Sequence, residues 1–348
     1  MKKQTAAQVL AASRADSLRI AKTIGSKQTR AILEKAAIEL RQRLFHAEGL
    51  SAAGRGTPFT EERLRMTLRQ VEDSVSALKR GLRGTILDTG KLAADASSQN
   101  LIQYLRATDR EYRGMVQPLA MDEAQVWTRA ISGTESSILH RIDSNPKDPR
   151  RKGVLDRYGE ATVENFEGIL RQGVITRADW GDTRNAIIAE SPFLQGAPAH
   201  WAERIVRTES MNAYSKANWE GMRAADDMLG DMAKILSATF DERTGWDSYQ
   251  VHGQIRKVDE PFEWNFGDGP EGFMHPPNRP NDREVVVPHR IAWPLPESVR
   301  ALPDGAVVEA WMREKRKGSP PPRPKMTTID LSRFGKEQPP PIARGPRT

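Results

Sequence analysis

The chain has 348 residues, 53 Lys/Arg against 46 Asp/Glu and a formal charge of +7, with 28% charged and 6% aromatic residues. A mean hydropathy of −0.63 makes its average residue more polar than that of a compact enzyme and favours an elongated helical protein, or a small core carrying arms. Zero cysteines exclude disulfides and thiolate metal sites, and no apolar run approaches the ~20 residues that a membrane helix needs.

The opening MKKQTAAQVLAAS is interrupted by Gln4, Thr5 and Gln8 and carries helical patterning, so it reads as structure and not as a targeting segment. TRAILEKAAIELRQRL sets Ile32, Ala36, Leu40 and Leu44 four apart on one amphipathic face. The loop GLSAAGRGTPF breaks that pattern, and Thr60 is placed to cap EERLRM. Leu64, Leu68, Val71, Val75, Leu78 and Leu82 then alternate spacings of four and three, close to a heptad seam, which predicts packing between helices. Residues 1–115 carry 21 Lys/Arg against 12 Asp/Glu. Arg63, Arg65, Arg69, Lys79 and Arg80 lie off the seam, as contacts for DNA or an acidic protein surface or simply as a solvated face.

Further helices are predicted at DEAQVWTRAIS and EATVENFEGILRQG, with the polar turn DSNPKDPRRKG between them. In TRADWGDTRNAIIAE, Thr176 and Asp179 have the spacing of a capping box. The last long helix, PAHWAERIVRTESMNAYSKANWEGMRAAD, starts at a proline and sets Trp201, Ile205, Thr208 and Asn212 along one face. Two of those four are polar, so the face should pack against a neighbour that supplies hydrogen bonds.

Near Ala233 the period changes. In AKILSATF, Leu236, Ala238 and Phe240 alternate with polar residues as in a half-buried strand, and QIRKV and REVVVPHRIAW read as further strands. A module spanning 233–294 buries little surface alone and needs a staple or a helical platform. DGAVVEAWMREKRK predicts one more short helix. The proline-rich remainder, with SPPPRPK and QPPPIARGPRT, reads as a disordered basic tail containing Arg323 and Lys325. The expected fold is therefore α+β, mostly α. Basic N-terminal helices occupy 1–115, a helical region 116–232 and the β-rich module 233–294, followed by a short helix or linker at 295–316 and the tail at 317–348.

Catalytic signatures are scarce. The histidines His46, His140, His200, His252, His275 and His289 form no HxxxH or HExxH pair. Dinucleotide, phosphate-loop and nucleophile-elbow patterns are absent. VPHRIAWPL is a faint likeness of an HNH nuclease strand without the rest of the metal grip. VRTES superficially resembles pieces of ADP-ribosyltransferases, but it lies in a helical pattern and no ExE element follows.

Four pieces occur in order over 203–292: IVRTESMNAY with Arg207, Thr208 and Glu209, then DERTG, VHGQI and PPNRPNDRE. This set resembles the Mu F-like minor head proteins of tailed phages, the phage head-morphogenesis family. In that family the pattern is an ARTE-containing helix, a strand, DERTCxxC, a short Gly-containing strand and PPxHPNCRC. Carried over by position, the family's metal-binding Cys, Cys, His and Cys fall on Gly245, Ser248, Arg279 and Asp282, and the last Cys of CRC falls on Glu284. None of this set makes a tetrahedral zinc site. The resemblance therefore implies a knuckle frame with no metal or other cofactor.

Its two arms, with Thr244 in the DERT turn, are expected to be held by Arg243, Arg279 and Arg283 facing Asp241, Asp282 and Glu284. PFEWNF would supply apolar cover. The resemblance implies a non-enzymatic virion component inside the capsid near the portal, made in the host cytoplasm. Its partners would be the portal protein, a capsid or scaffolding protein, and DNA through the basic N-terminal segment and tail, with no membrane. Two alternatives come from other classes: a DNA-binding internal head or ejection protein, and a Mu F-module protein with a cryptic toxin or transferase domain.

Overall fold

The computed structural model describes residues 4–49, 59–113, 119–145, 148, 152–195, 198–238, 248, 251–263, 272–277, 284–296, 301–303, 313 and 326–328. The protein is α+β and mostly helical. Its helices are α1 (Ala6–Arg19), α2 (Gly25–Gly49), α3 (Glu61–Glu111), α4 (Glu123–Ile131), α5 (Thr134–Ile142), α6 (Val154–Ile175), α7 (Trp180–Glu190) and α8 (Pro198–Leu229), with a π-helical turn, Ile20–Ile24, joining α1 to α2. Its strands are β1 (Met232–Ser237), β2 (Ile255–Lys257), β3 (Phe262–Glu263), β4 (Gly272–Phe273), β5 (Val285–Arg290), β6 (Ala301–Pro303) and β7 (Met326–Thr328). Among the described residues no helix is long and apolar enough to cross a membrane.

Helix starts follow local side-chain chemistry. Thr5 and Gln8 form a reciprocal capping box at α1, the Gln8 amide donating to Oγ1 at 3.2 Å and the Thr5 amide to Oε1 at 3.0 Å. Thr60 accepts from the Arg63 amide at 3.4 Å, as its position before α3 predicts. At α7 the cap is Asp179, which accepts from the Asp182 amide at 2.8 Å. Thr176 is instead the C-cap of α6, its hydroxyl donating to the Gln172 carbonyl at 2.9 Å. The capping-box spacing at Thr176 therefore marks the end of one helix, not the start of the next.

The chain divides into two compact units, each discontinuous in sequence. One comprises Ala15–Ala96 and Ile131–Tyr214. Leu64, Val71, Val75, Leu78 and Leu82 of the α3 seam are buried there, with Leu68 partly so, alongside Leu33, Leu40 and Leu44 of α2 and Phe166 and Leu170 of α6. The helix α5, which the sequence pattern did not single out, adds Ile138 and Ile142 to this core. Close approach to backbone makes Gly153 obligatory, since a Cβ there would meet the Ile142 carbonyl oxygen at 2.3 Å, whereas a Cβ on Gly90 would meet only the Ile138 side-chain end, Cδ1, at 2.4 Å. Trp201 departs from expectation. It is 54% exposed and lies stacked 6.3 Å from Tyr158, so the inward face of α8 is carried by Ala202, Ile205, Val206 and Asn212.

The other unit comprises Met1–Arg14, Ser97–Ala130 and Ser215–Thr348. Its centre is a three-stranded antiparallel sheet in the order β2-β1-β5. All six residues of β1 are buried, as is Ala238, so the half-buried alternation expected for AKILSATF is overruled over 233–238; Phe240 lies outside the described residues. As the middle strand, β1 is covered on both faces, and Lys234 and Ser237 go inside with the aliphatic residues. Val9 and Leu10 of α1, Leu101 and Leu105 of α3, Val126 of α4 and Met222 and Ala225 of α8 share one apolar cluster with Ile235, Leu236 and Val287. The module thus has its helical platform. β3 pairs with β4, and β6 with β7, in two further two-stranded sheets. Of 317–348 only Met326–Thr328 are described; they form β7, in which the β-branched Thr327 and Thr328 pair with Leu302 and Ala301. Apart from Arg313, the short helix expected in DGAVVEAWMREKRK lies outside the described residues.

Gly153 and Gly168 form a contrast. Replacing Gly153 by Ala drives a Cβ into backbone and should lower unfolding stability by about 1–3 kcal/mol. Gly168 sits on the exposed side of α6 with nothing within 4 Å of a new Cβ, so Gly168→Ala should raise stability by about 0.5–1 kcal/mol. Urea unfolding of the two variants measures both signs.

Candidate functional site

The site is the sheet and the part of α8 that precedes it. α8 ends at Gly230, whose φ of +68° favours glycine and whose amide closes on the Asp226 carbonyl at 2.7 Å. The Asp226 carboxylate accepts from the Met232 amide at 2.9 Å, turning the chain directly into β1. Burial first, then the nearby Asp259, Asp227 and Asp231, raise the pKa of that carboxyl group. Asp231 then takes the Arg290 guanidinium, with Nε at 2.9 and 3.1 Å from its two oxygens, tying the start of β1 to the end of β5. Arg290 also lies over the Trp293 ring at 5.6 Å.

Side chains of α8 complete the backbone hydrogen bonding of the module. Asn218 donates from Nδ2 to the Val286 carbonyl at 2.8 Å, and Trp219 donates from Nε1 to the Val258 carbonyl at 2.8 Å. Arg223 packs over the Trp219 ring at 5.1 Å and pairs with Asp259 at 2.8 Å. The polar partner anticipated for α8 is therefore the backbone of β5 and the turn after β2, reached from Asn218 and Trp219 and not from Thr208.

The VHGQI piece forms the turn into β2. Gly253 has a φ of +78° and its amide donates to the Leu236 carbonyl at 2.7 Å. His252 is fully buried, and its Nδ1 accepts from the Ala238 amide at 3.0 Å, which places the ring proton on Nε2. His289 on β5 is 97% removed from solvent by relative area, and burial pushes its pKa down to about 4. Lys234, at the middle of β1 opposite Arg256 and Pro288, is buried, with its pKa lowered to about 8 chiefly by desolvation.

Of the expected knuckle, Ser248 and Glu284 are described, and both are buried. Asp241, Arg243, Thr244, Gly245, Arg279, Asp282 and Arg283 lie outside the described residues, as do Arg323 and Lys325. The ionic arms expected there are thus not described. Arg207, Thr208 and Glu209 fall in the all-helical unit. Glu209 is buried and holds Arg141 of α5 through contacts of 2.9 and 3.3 Å, and Arg207 and Thr208 are half-buried. Among the basic residues of α3, Arg65, Arg69 and Arg80 are exposed and Arg63 is half-buried. Lys79 pairs with Asp156, which removes it from the free cationic set. No group of three or more His, Asp or Glu suited to a metal occurs among the described residues.

Sequence reasoning passed over Asn218, Trp219, Asp226, Asp231, Lys234 and Arg290. The available signal was a lone lysine inside the aliphatic run of β1. The aspartates and Asn218 looked like solvated helix-end residues. Searches against protein-family models, curated proteins and solved structures found no match.

His289 sets an acid limit on the module. The unfolded chain takes up a proton near 6.5 and the folded chain near 4, so stability is full above pH 6.5 and is lost as pH falls through 4. The loss is on the order of 3 kcal/mol. Thermal melts between pH 7 and 4 should show this slope in the wild type and a shallower one in His289→Gln.

Proposed function

We propose that the chain is a structural minor head, or head-morphogenesis, protein of a tailed phage or prophage, acting inside the capsid near the portal and carrying out no reaction. One observation carries the reading: the four motif pieces of 203–292 occur in the family's order in the sequence, and the elements described around them follow in a consistent succession, with DERTG itself outside the described residues. The helix with VRTES runs on into β1, VHGQI forms the turn between β1 and β2, and β5 follows PPNRPNDRE. The Asp231–Arg290 and Arg223–Asp259 pairs tie ionisable groups of the sheet module into structural contacts, which suits a part that packs.

Contact with packaged or ejected DNA belongs to the same proposal. The exposed Arg65, Arg69 and Arg80 support a sequence-blind attraction to phosphates that weakens with salt. The expected partners remain the portal, the capsid or scaffolding protein, and DNA.

Co-expression with the portal protein of the same genome is the test. The proposal expects the chain to co-elute with the portal ring in a fixed ratio. Elution as a free species, with neither portal nor shell protein retained, would overturn it.

A further inference from the structure

Trp201, in the first turn of α8, stacks on Tyr158 of α6 with ring centroids 6.3 Å apart and 22° between the planes. Tyr158 is 3% exposed and Trp201 54%. The buried phenol ring is a fixed support, and the indole that rests on it keeps about half of its surface in water.

Tryptophan anchors two kinds of surface. In protein interfaces it sits in an apolar core patch, and in single-strand nucleic-acid grooves it stands among cations. The surroundings here are of the second kind. Among the described residues of α6 and α8, the other exposed large hydrophobic is Ile175, about 25 Å further along α6 than Tyr158. Arg204, one turn after Trp201, and Arg157, next to Tyr158, are both exposed, and neither makes an ion pair among the described residues. The acids closest in sequence are taken: Asp156 by Lys79, Glu160 by Lys152, and the buried Glu203 by Arg30. Glu164 is exposed two turns beyond Arg157, about 10 Å along the helix.

We propose that Trp201 is a stacking platform for an unpaired base of single-stranded DNA, with Arg204 and Arg157 as the cations for its flanking phosphates. The inference rests on the DNA contact proposed above and adds a second site of different chemistry. Arg65, Arg69 and Arg80 offer charge alone, which attracts duplex and single strands alike. An open indole face takes a base only when that base is out of its pair. Every base has a flat face, so the site is tolerant of sequence.

Anisotropy of a labelled oligodeoxythymidine of about ten nucleotides, titrated with the full chain at low salt beside a duplex of equal length, tests this. The wild type should bind the single strand more tightly than the duplex. Trp201→Ala should weaken the single-strand complex by about five- to hundredfold and leave the duplex complex unchanged. Trp201→Phe keeps a stacking ring and should recover most of that loss. Arg204→Gln should reduce the slope of log affinity against log salt by about 0.7 for the single strand.

Single-strand binding as tight in Trp201→Ala as in the wild type, or weakened equally with duplex binding, would overturn the inference. If binding persists in Trp201→Ala but falls when Arg65, Arg69 and Arg80 are all replaced by Gln, the general DNA contact stands and this site fails. A wild type that binds neither DNA overturns both. Loss of portal co-elution in Trp201→Ala with no single-strand binding would assign Trp201 to a protein interface instead.

Discussion

The sheet module depends on cover for a single strand. β1 is buried at all six positions and is flanked by a three-residue strand on one side and a six-residue strand on the other. A sheet that small cannot enclose its own middle strand. The cover comes from α1, the end of α3, α4 and α8, which share one apolar cluster with it. Direction is added by polar contacts: Asn218 and Trp219 satisfy carbonyls of β5 and the turn after β2, and Asp226 and Asp231 fix where α8 stops and β1 begins.

That dependence explains the ionisable groups inside. Aliphatic packing alone would leave strand carbonyls and helix ends without partners, and buried polar atoms need hydrogen bonds. Arg290 is 5% exposed at its side chain and is matched by Asp231 at 2.9 Å, a geometry in which desolvation is offset by a bidentate contact. Lys234 and His289 are compensated less well, and burial shifts both toward the neutral form. The module is therefore held by packing and by a few fixed polar contacts, with two titratable groups that make its stability responsive to pH.

Much of the helical architecture was legible because periodicity is a local signal. The seam from Leu64 to Leu82 and the face from Ile32 to Leu44 went inside largely as their spacing indicated. Burial of β1 was not legible, because whether a strand is central or at an edge depends on residues fifty positions away in β5. The same non-locality hid Lys234, Asp231 and Arg290, which are ordinary surface residue types until the strands pair. Thr176 misled for a different reason: threonine serves both ends of a helix, and the Asp179 side chain had the better geometry at the start of α7. Trp201 misled because one aromatic ring can close over a neighbour, here Tyr158, while remaining half in water.

β1, β2 and β5 fold only with their helical cover. Amide dispersion in a nitrogen–proton NMR spectrum of an isolated 231–296 fragment tests this most directly. Collapsed, poorly dispersed resonances with no cooperative thermal transition are the predicted result. A dispersed spectrum with a sharp melting transition would show a self-sufficient module and contradict the account.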